Sequence, residues 1–219
     1  MLTVKNLSKV YQKRGQEVIA LNNVSLDIPQ GDFVAIIGPS GSGKSSLLLM
    51  LGGMLSPSSG YVRIDNESVY DLNNNARATL RRQKMGFVFQ TFNLIPYLTA
   101  LQNVQVPLLL CGLDKQEQDE RSRALLKKVG LEDRLDHKPA ELSVGQQQRI
   151  ALARMMANDP DIILADEPTG NLDPTMGQIV MDFLCELNEA GKTVVMVTHD
   201  MKIAGRAKRT VVISKGGTL

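Results

Sequence analysis

A glycine-rich loop in the first quarter of the chain limits the folds open to it. The loop reads Gly38-Pro-Ser-Gly-Ser-Gly-Lys-Ser45, and it follows the apolar run Phe33–Ile37 and precedes the helical pattern of residues 46–50. Glycines let consecutive backbone N–H groups turn inward around phosphate oxygens, and a helix N-terminus adds partial positive charge. The sequence therefore predicts a phosphate-binding loop between a buried strand and a helix. A chance glycine-rich turn is the alternative, and the flanking patterns disfavour it.

The charged and hydroxyl groups of this loop match the chemistry of a Walker A motif. Lys44 adds a full positive charge near the β and γ phosphates, and the Ser45 hydroxyl is placed to ligate Mg²⁺. We expect the chain to bind ATP with Mg²⁺ and to hydrolyse it. The expected nucleotide contacts are Gly38, Pro39, Ser40, Gly41, Ser42, Gly43, Lys44, Ser45 and Ser46.

A second motif places two carboxylates at the end of an apolar run. Residues 162–168 read Ile-Ile-Leu-Ala-Asp-Glu-Pro, which predicts a strand that ends with Asp166 and Glu167 at the sheet edge where ligands bind. Asp166 suits a metal ligand, and Glu167 suits the group that polarises an attacking water. A solvated turn is the more common meaning of such a pair in isolation. The Walker A loop upstream reverses that preference.

The pattern of strands and helices predicts an α/β protein. Runs 33–37, 85–89, 162–165, 193–197 and 210–213 predict a parallel sheet flanked by helices, and run 61–64 predicts a further strand. Runs 2–10 and 18–28, joined by the polar residues 12–17, predict an antiparallel hairpin beside that sheet. Residues 91–157 have a helical pattern, which is clearest at 115–129 and 145–157. We predict one domain, 1–219, in which 1–90 and 158–219 form the α/β core and 91–157 form an inserted helical subdomain.

Composition excludes several other classes. The chain of 219 residues has 25 Lys and Arg against 23 Asp and Glu, a balance that disfavours nucleic acid as a partner. No run is long and apolar enough for a membrane span, and we expect the chain in the cytosol. We expect Cys111 and Cys185 to be small buried hydrophobes, and the basic stretch 202–209 to be a solvated helix face.

The string Leu142-Ser-Val-Gly-Gln146 resembles the Leu-Ser-Gly-Gly-Gln signature of ATP-binding cassette (ABC) transporter subunits. The resemblance spans essentially the whole chain and implies a RecA-like P-loop NTPase core. Tyr11 matches the adenine-stacking aromatic, Gln90 the Q-loop glutamine, residues 171–173 the D-loop, and His199 the switch histidine.

The resemblance implies an ATP-dependent homodimer that encloses two nucleotides. Ser143, Gly145 and Gln146 at a helix N-terminus would cap the γ phosphate bound by the other chain, with Asp173 of the D-loop nearby. Gln90 would join Ser45 and Asp166 at Mg²⁺. Glu167, His199 and Lys44 would be the catalytic residues.

Each of these residues also has an ordinary structural explanation. Ser143 suits a helix N-cap, Gln90 a polar residue leaving a strand, His199 a structural or exposed residue, and Tyr11 a core aromatic.

Two positions depart from the family pattern. Val144 replaces a glycine and disfavours a positive φ there, whereas Ser46 replaces a common threonine and keeps its hydroxyl. We therefore expect hydrolysis to be retained, with the signature as its least secure part.

Two longer strings, residues 86–101 and 164–173, resemble the bacterial group of lipoprotein-release, macrolide-export and cell-division ATPases. That resemblance implies a subunit on the cytoplasmic face of the bacterial inner membrane, bound to an integral membrane permease through its Q-loop and helical-subdomain surface. The apolar residues offered for that contact are Phe92, Leu94, Ile95, Tyr97 and Leu98, for which core burial is the alternative. Relatives commonly continue with a further strand and a tail after Gly217, so a shortened chain is one expectation.

Three functions remain open from the sequence. The first is a transport ATPase, for export or mechanical work in the periplasm. The second is a cell-division type of regulatory ATPase that controls a periplasmic enzyme without transport. The third is a soluble ABC protein that acts on ribosomes or DNA, which the absence of a second cassette or a long coiled coil disfavours.

Overall fold

A computed structural model describes residues 2–13, 15–214 and 217–218 of the chain. Their strands are β1 Leu2–Lys13, β2 Gln16–Ile28, β3 Phe33–Ile37, β4 Ser59–Ile64, β5 Glu67–Ser68, β6 Met85–Phe89, β7 Ile162–Asp166, β8 Thr193–Val197, β9 Arg209–Ser214 and β10 Gly217–Thr218. Their α-helices are α1 Lys44–Leu51, α2 Asn74–Lys84, α3 Ala100–Leu110, α4 Lys115–Lys128, α5 Val144–Met155, α6 Pro174–Glu189 and α7 Met201–Ala204.

The central sheet has the strand order β10-β9-β3-β8-β7-β6, and β3, β6, β7, β8 and β9 run parallel as predicted. Alternate side chains of each strand point to opposite faces. In β3, Val34 and Ile36 pack with α1 on one face, while Phe33 and Ala35 pack with α6 on the other. Both faces are covered, which explains why all five residues of β3 are buried.

The second sheet is antiparallel and has the order β2-β1-β4-β5. The N-terminal hairpin is confirmed, but the predicted connection 12–17 is mostly strand, because Gln12 pairs with Glu17 and Lys13 with Gln16. The strand expected at 61–64 belongs to this sheet as β4 and pairs with β1. The short strand β5 was not predicted.

Helices α3, α4 and α5 pack around a core of their own. The N-terminus of α3 has a Thr99–Gln102 capping box. Asn103 is fully buried, and its amide bonds to the backbone of the preceding turn at Ile95, Leu98 and Thr99. The fold class predicted from the sequence is confirmed.

Two surface predictions are wrong. The basic stretch 202–209 is not one helix, because α7 ends at Ala204 and the chain then turns into β9. Its two arginines form ion pairs within the chain, Arg206 with Asp182 and Arg209 with Asp32. Cys111 is exposed at the end of α3 rather than buried, whereas Cys185 is half-buried.

Among the described residues, no helix combines the length and the apolar character needed to span a bilayer.

Candidate nucleotide site

The carboxyl ends of four parallel strands meet at one edge of the central sheet. Asp166, at the end of β7, lies opposite Val197 of β8 and Phe89 of β6. Ile36 of β3 lies opposite the same Val197. The residues that follow these strands therefore gather at one place, which is where open α/β sheets bind ligands.

Two glycines of the loop between β3 and α1 are required by close backbone contacts. A Cβ atom at Gly38 would overlap the Ile213 carbonyl oxygen, and one at Gly43 would overlap the Ala20 carbonyl oxygen. Gly43 is also the N-cap of α1 with φ 92°, a value that favours glycine. No side chain caps this helix among the described residues, so its first N–H groups remain available for an anion.

Lys44 is buried and bonds to its own loop. Its Nζ donates to the Gly38 carbonyl at 2.9 Å and to the Pro39 carbonyl at 3.0 Å. An ammonium group has three N–H donors, so one remains for a phosphate oxygen. The lysine thus both shapes the loop and carries its positive charge.

Ser45 and Asp166 come together although 121 positions separate them in the sequence. The Ser45 hydroxyl donates to Asp166 Oδ1 at 3.0 Å. Burial raises the pKa of the Asp166 carboxyl, the Ser45 hydrogen bond lowers it, and the nearby charge of Glu167 raises it further. A hydroxyl and a carboxylate oxygen at this spacing fit Mg²⁺, which prefers oxygen ligands and takes few of them from the protein.

Glu167 contacts the histidine predicted at the next strand. Its Oε1 lies 2.8 Å from His199 Nδ1. Because an ionised carboxylate only accepts, this bond places a proton on Nδ1. Glu167 also has φ 48°, which is unusual for a residue other than glycine, asparagine or aspartate. Such strained backbone is frequent at functional sites.

Gln90 is held against the segment after Glu167. The Asn171 side chain donates to the Gln90 carbonyl at 2.9 Å and accepts from Gln90 Nε2 at 3.4 Å. A Cβ at Gly170 would lie 2.9 Å from the same Nε2 atom. The Q-loop and D-loop positions are therefore in direct contact.

These residues surround a cleft of about 480 Å³. Tyr11 lies at one end, is 40% exposed and has the Lys9 ammonium 5.1 Å from its ring centre, so it is not a core residue. The predicted residues that line the cleft are Tyr11, Ser40, Gly41, Gly43, Lys44, Ser45, Ser46, Gln90 and Glu167. Asp166 and His199 do not line the cleft, but they bond to Ser45 and Glu167, which do.

Sequence reasoning missed the β2 side of the cleft, where Val18, Ile19 and Ala20 line it. Val18 and Ile19 are 47% and 57% exposed, although their pattern suggested an ordinary strand. No signal in the sequence separates exposed apolar residues of a strand from buried ones at that point.

The signature residues do not line this cleft. Ser143 is the N-cap of α5 in a reciprocal capping box with Gln146. Gly145 packs against α6, since a Cβ there would lie 2.7 Å from Met176 Cε. Asp173 caps the N-terminus of the same helix, so the starts of α5 and α6 adjoin. Val144 lies in the first turn of α5, is 50% exposed and does not have a positive φ, so the expected backbone conflict does not arise.

A separate groove of about 360 Å³ lies beside β6. Its lining includes the apolar residues Phe87, Phe89, Val106, Pro107 and Leu110. The apolar cluster predicted for a partner contact does not line it: Phe92 is buried, Leu94 packs on the helical core, and Tyr97 is 77% exposed. Arg154 donates to the carbonyls of Phe92 and Asn93, which holds this segment over the helical unit.

Comparisons with known proteins agree with this geometry. Residues 21–170 match the family model described as ABC transporter. The chain is 50% identical over 222 residues to an uncharacterised ABC transporter ATP-binding protein, MJ0796 of Methanocaldococcus jannaschii, with 99% of this chain and 94% of that protein covered. It is 48% identical over 219 residues to the macrolide export ATP-binding/permease protein MacB of Campylobacter jejuni, with 100% of this chain and 34% of MacB covered.

Two solved structures are similar throughout. One is a dimeric, post-hydrolysis state of the MJ0796 cassette bound to ADP and Pi, with a TM-score of 0.93 and 46% identity over 100% of this chain and 96% of that one. The other is a dimeric structure of MJ0796, described as a bacterial ABC transporter cassette, with a TM-score of 0.93 and 47% identity over the same shares of the two chains. The fold, the gathered motifs and these matches lead to one conclusion: the chain belongs to the ABC transporter ATPase family.

Proposed function

We propose that the chain is the ATP-hydrolysing subunit of an ABC transporter, which dimerises around two ATP molecules and drives a membrane partner. The observation that carries the proposal is the meeting of the Ser45–Asp166 pair and the Glu167–His199 pair at one cleft. The Ser45–Asp166 pair suits a metal ion, and the Glu167–His199 pair suits an attacking water molecule. The phosphate loop lies next to both pairs.

The first half of the site binds and neutralises the triphosphate. Residues 38–46 would hold the phosphates through backbone N–H groups, and Lys44 would place its remaining donor on them. Ser45, Asp166 and Gln90 would hold Mg²⁺, which supplies positive charge at the β and γ phosphate oxygens. Tyr11 would stack on the adenine, and the exposed side chains of Val18 and Ile19 would cover the ribose side.

Glu167 would act on the attacking water, and His199 would act on the γ phosphate. Glu167 would orient the attacking water and accept its proton. His199 would bond the γ phosphate through Nε2. The Nδ1 proton already faces Glu167, so a neutral ring has no proton on Nε2. For His199 to donate to the phosphate, either the ring gains a second proton or its bond to Glu167 breaks.

The second half of the site would come from another copy of the chain. Ser143, Gly145 and Gln146 lie at an exposed helix N-terminus and not in their own chain's cleft. In a facing pair, the Ser143 hydroxyl and the free N–H groups of the first turn of α5 would reach the γ phosphate held by the other chain, with Asp173 nearby. The related MJ0796 cassette is described as a dimer, which supports this arrangement.

The groove beside β6 would receive a short helix of the membrane permease. Its lining is mainly apolar with three arginines, and Phe89 of that lining directly precedes Gln90, so an inserted helix would press on the Q-loop. MacB, one of the relatives, carries a permease in the same chain. We therefore place the subunit on the cytoplasmic face of a bacterial inner membrane, with residues 91–157 as the unit that moves with the permease.

The regulatory alternative keeps the same ATPase and changes only the partner. A partner with a large periplasmic domain, encoded by a neighbouring gene, would favour export, and a partner linked to cell-wall hydrolases would favour regulation. Copurification with ribosomes would favour the soluble class. The similarity to MacB favours export.

The substitution Glu167→Gln tests the proposed function. It removes the base and keeps the size of the side chain, so we expect ATP turnover to fall by about a hundredfold or more while a dimer accumulates on gel filtration with Mg-ATP. Glu189→Gln, an exposed residue at the end of α6, is the control and should behave as the unaltered protein. Wild-type turnover in Glu167→Gln would remove Glu167 from the mechanism.

A further inference from the structure

Gln148 on helix α5 is a buried polar residue that the nucleotide site does not explain. Its side chain is fully buried, and its Nε2 donates to the Pro168 carbonyl at 3.0 Å. Its Oε1 has no hydrogen-bond partner among the described residues. Because the only neighbour bonded to this amide is an acceptor, the donating nitrogen must face Pro168. The amide therefore links the helix that begins after Ser143 to the residue after Glu167.

The bond acts on a strained part of the backbone. Glu167 has φ 48°, and a left-handed residue of this kind costs about 1–2 kcal/mol unless its surroundings hold it. Glu167 N–H donates to the Val197 carbonyl at 2.9 Å, and Gly170 N–H donates to the Glu167 carbonyl at 3.0 Å. Gln148 of α5 adds a third bond, to the carbonyl of the next residue, Pro168. Together the three bonds determine the direction in which the Glu167 side chain leaves the backbone.

Packing alone does not account for a glutamine here. A buried acceptor without a partner costs about 1–3 kcal/mol, and an apolar side chain of similar size would avoid that cost. The neighbours of Gln148 on the same helix, Ile150 and Ala151, are apolar and fully buried or nearly so. The glutamine at this position is therefore explained by its Nε2 donor, which bonds to Pro168.

We propose that Gln148 is a positioning residue for Glu167, which ties the orientation of the carboxylate to the position of the signature helix. About five helical residues, or roughly 7.5 Å of rigid helix, separate it from Ser143. A displacement of Ser143 toward a nucleotide on the facing chain would move the Pro168 carbonyl and with it Glu167. This inference rests on the proposed function, because only a hydrolysing dimer makes use of such a link.

The test compares Gln148→Met with Gln118→Met in the full chain. Gln118 is also a buried glutamine whose Nε2 donates to a backbone carbonyl, that of Leu113 at 2.7 Å, but it lies on α4 away from the cleft. We expect kcat for ATP to fall about ten- to a hundredfold in Gln148→Met, with KM within about twofold of wild type. Gln118→Met should keep the wild-type kcat.

Hydrogen exchange of the nucleotide-free protein gives a second reading that needs no catalysis. The amides of Glu167, Thr169 and Gly170 should exchange several-fold faster in Gln148→Met and at the wild-type rate in Gln118→Met. If methionine prevents folding, Gln148→Asn replaces it, because its shorter amide does not reach Pro168 and the same losses are expected.

Wild-type kcat in Gln148→Met, or equal changes of kcat and exchange in both variants, would overturn the proposal. A wild-type chain without ATPase activity would instead overturn the proposed function, and the exchange of residues 167–170 would still decide whether Gln148 holds Glu167.

Discussion

The left-handed backbone at Glu167 predicts that glycine is more stable than alanine at this position, which is the reverse of the usual order. Replacing alanine by glycine normally destabilises a protein, because glycine has more freedom in the unfolded chain, by about 0.4–1 kcal/mol. At φ 48° a residue with a Cβ pays about 1–2 kcal/mol that glycine does not. Glu167→Gly should therefore be more stable than Glu167→Ala by about 0.5–1 kcal/mol. Both variants lose the bond to His199, so that loss cancels in the comparison.

Equilibrium urea unfolding of the nucleotide-free protein measures this difference, with equal m-values as the check that only stability changed. Ala124→Gly is the matched control, since Ala124 is an exposed residue inside α4. It should show the ordinary loss of about 1 kcal/mol. If Glu167→Ala proves as stable as Glu167→Gly, or more stable, the idea that the backbone at this position is strained is refuted.

Three further perturbations have expected results. Asp166→Asn should raise nucleotide-free stability and abolish the gain in melting temperature from Mg-ATP. Since burial raises the pKa of Asp166, this difference should be full above the folded pKa and shrink as pH falls toward the ordinary aspartate value. Gly43→Ala should lose ATP binding in calorimetry, whereas Gly191→Ala, with a similar φ but open space, should keep it. Leu110→Asp, in the groove, should abolish copurification of the permease, and Leu109→Asp, equally exposed outside it, should not.

The sequence predicted most of the central sheet because its strands have simple patterns. Runs such as Phe33–Ile37 and Thr193–Val197 are continuously apolar, as expected for strands covered on both faces, and their bounds agree with the structure. The glycine loop is equally local, because its spacing and its flanking strand and helix are contained within twenty residues. Features of this kind need no knowledge of distant contacts.

The remaining features depend on contacts between distant residues. Helix α2 has no buried residue, so it lacks the apolar periodicity by which a helix is predicted. The left-handed Glu167 and the bond from Gln148 to Pro168 depend on how α5 packs against the end of β7. The basic stretch 202–209 looked helical by composition, but its arginines pair with Asp182 of α6 and with Asp32, which directly precedes β3.

The contact between Gly43 and Ala20 has a consequence for which nucleotides this half-site can tell apart. This contact joins the phosphate loop to β2, the strand whose exposed Val18 and Ile19 line the same cleft, so we expect the distance between these two parts of the cleft to be fixed. In the proposed pose, a nucleoside monophosphate lacks the phosphates that would fill the loop, so we expect it to bind weakly. ADP and ATP would both fill the loop in that pose, so we expect the chain to distinguish them only through groups that lie beyond the β phosphate.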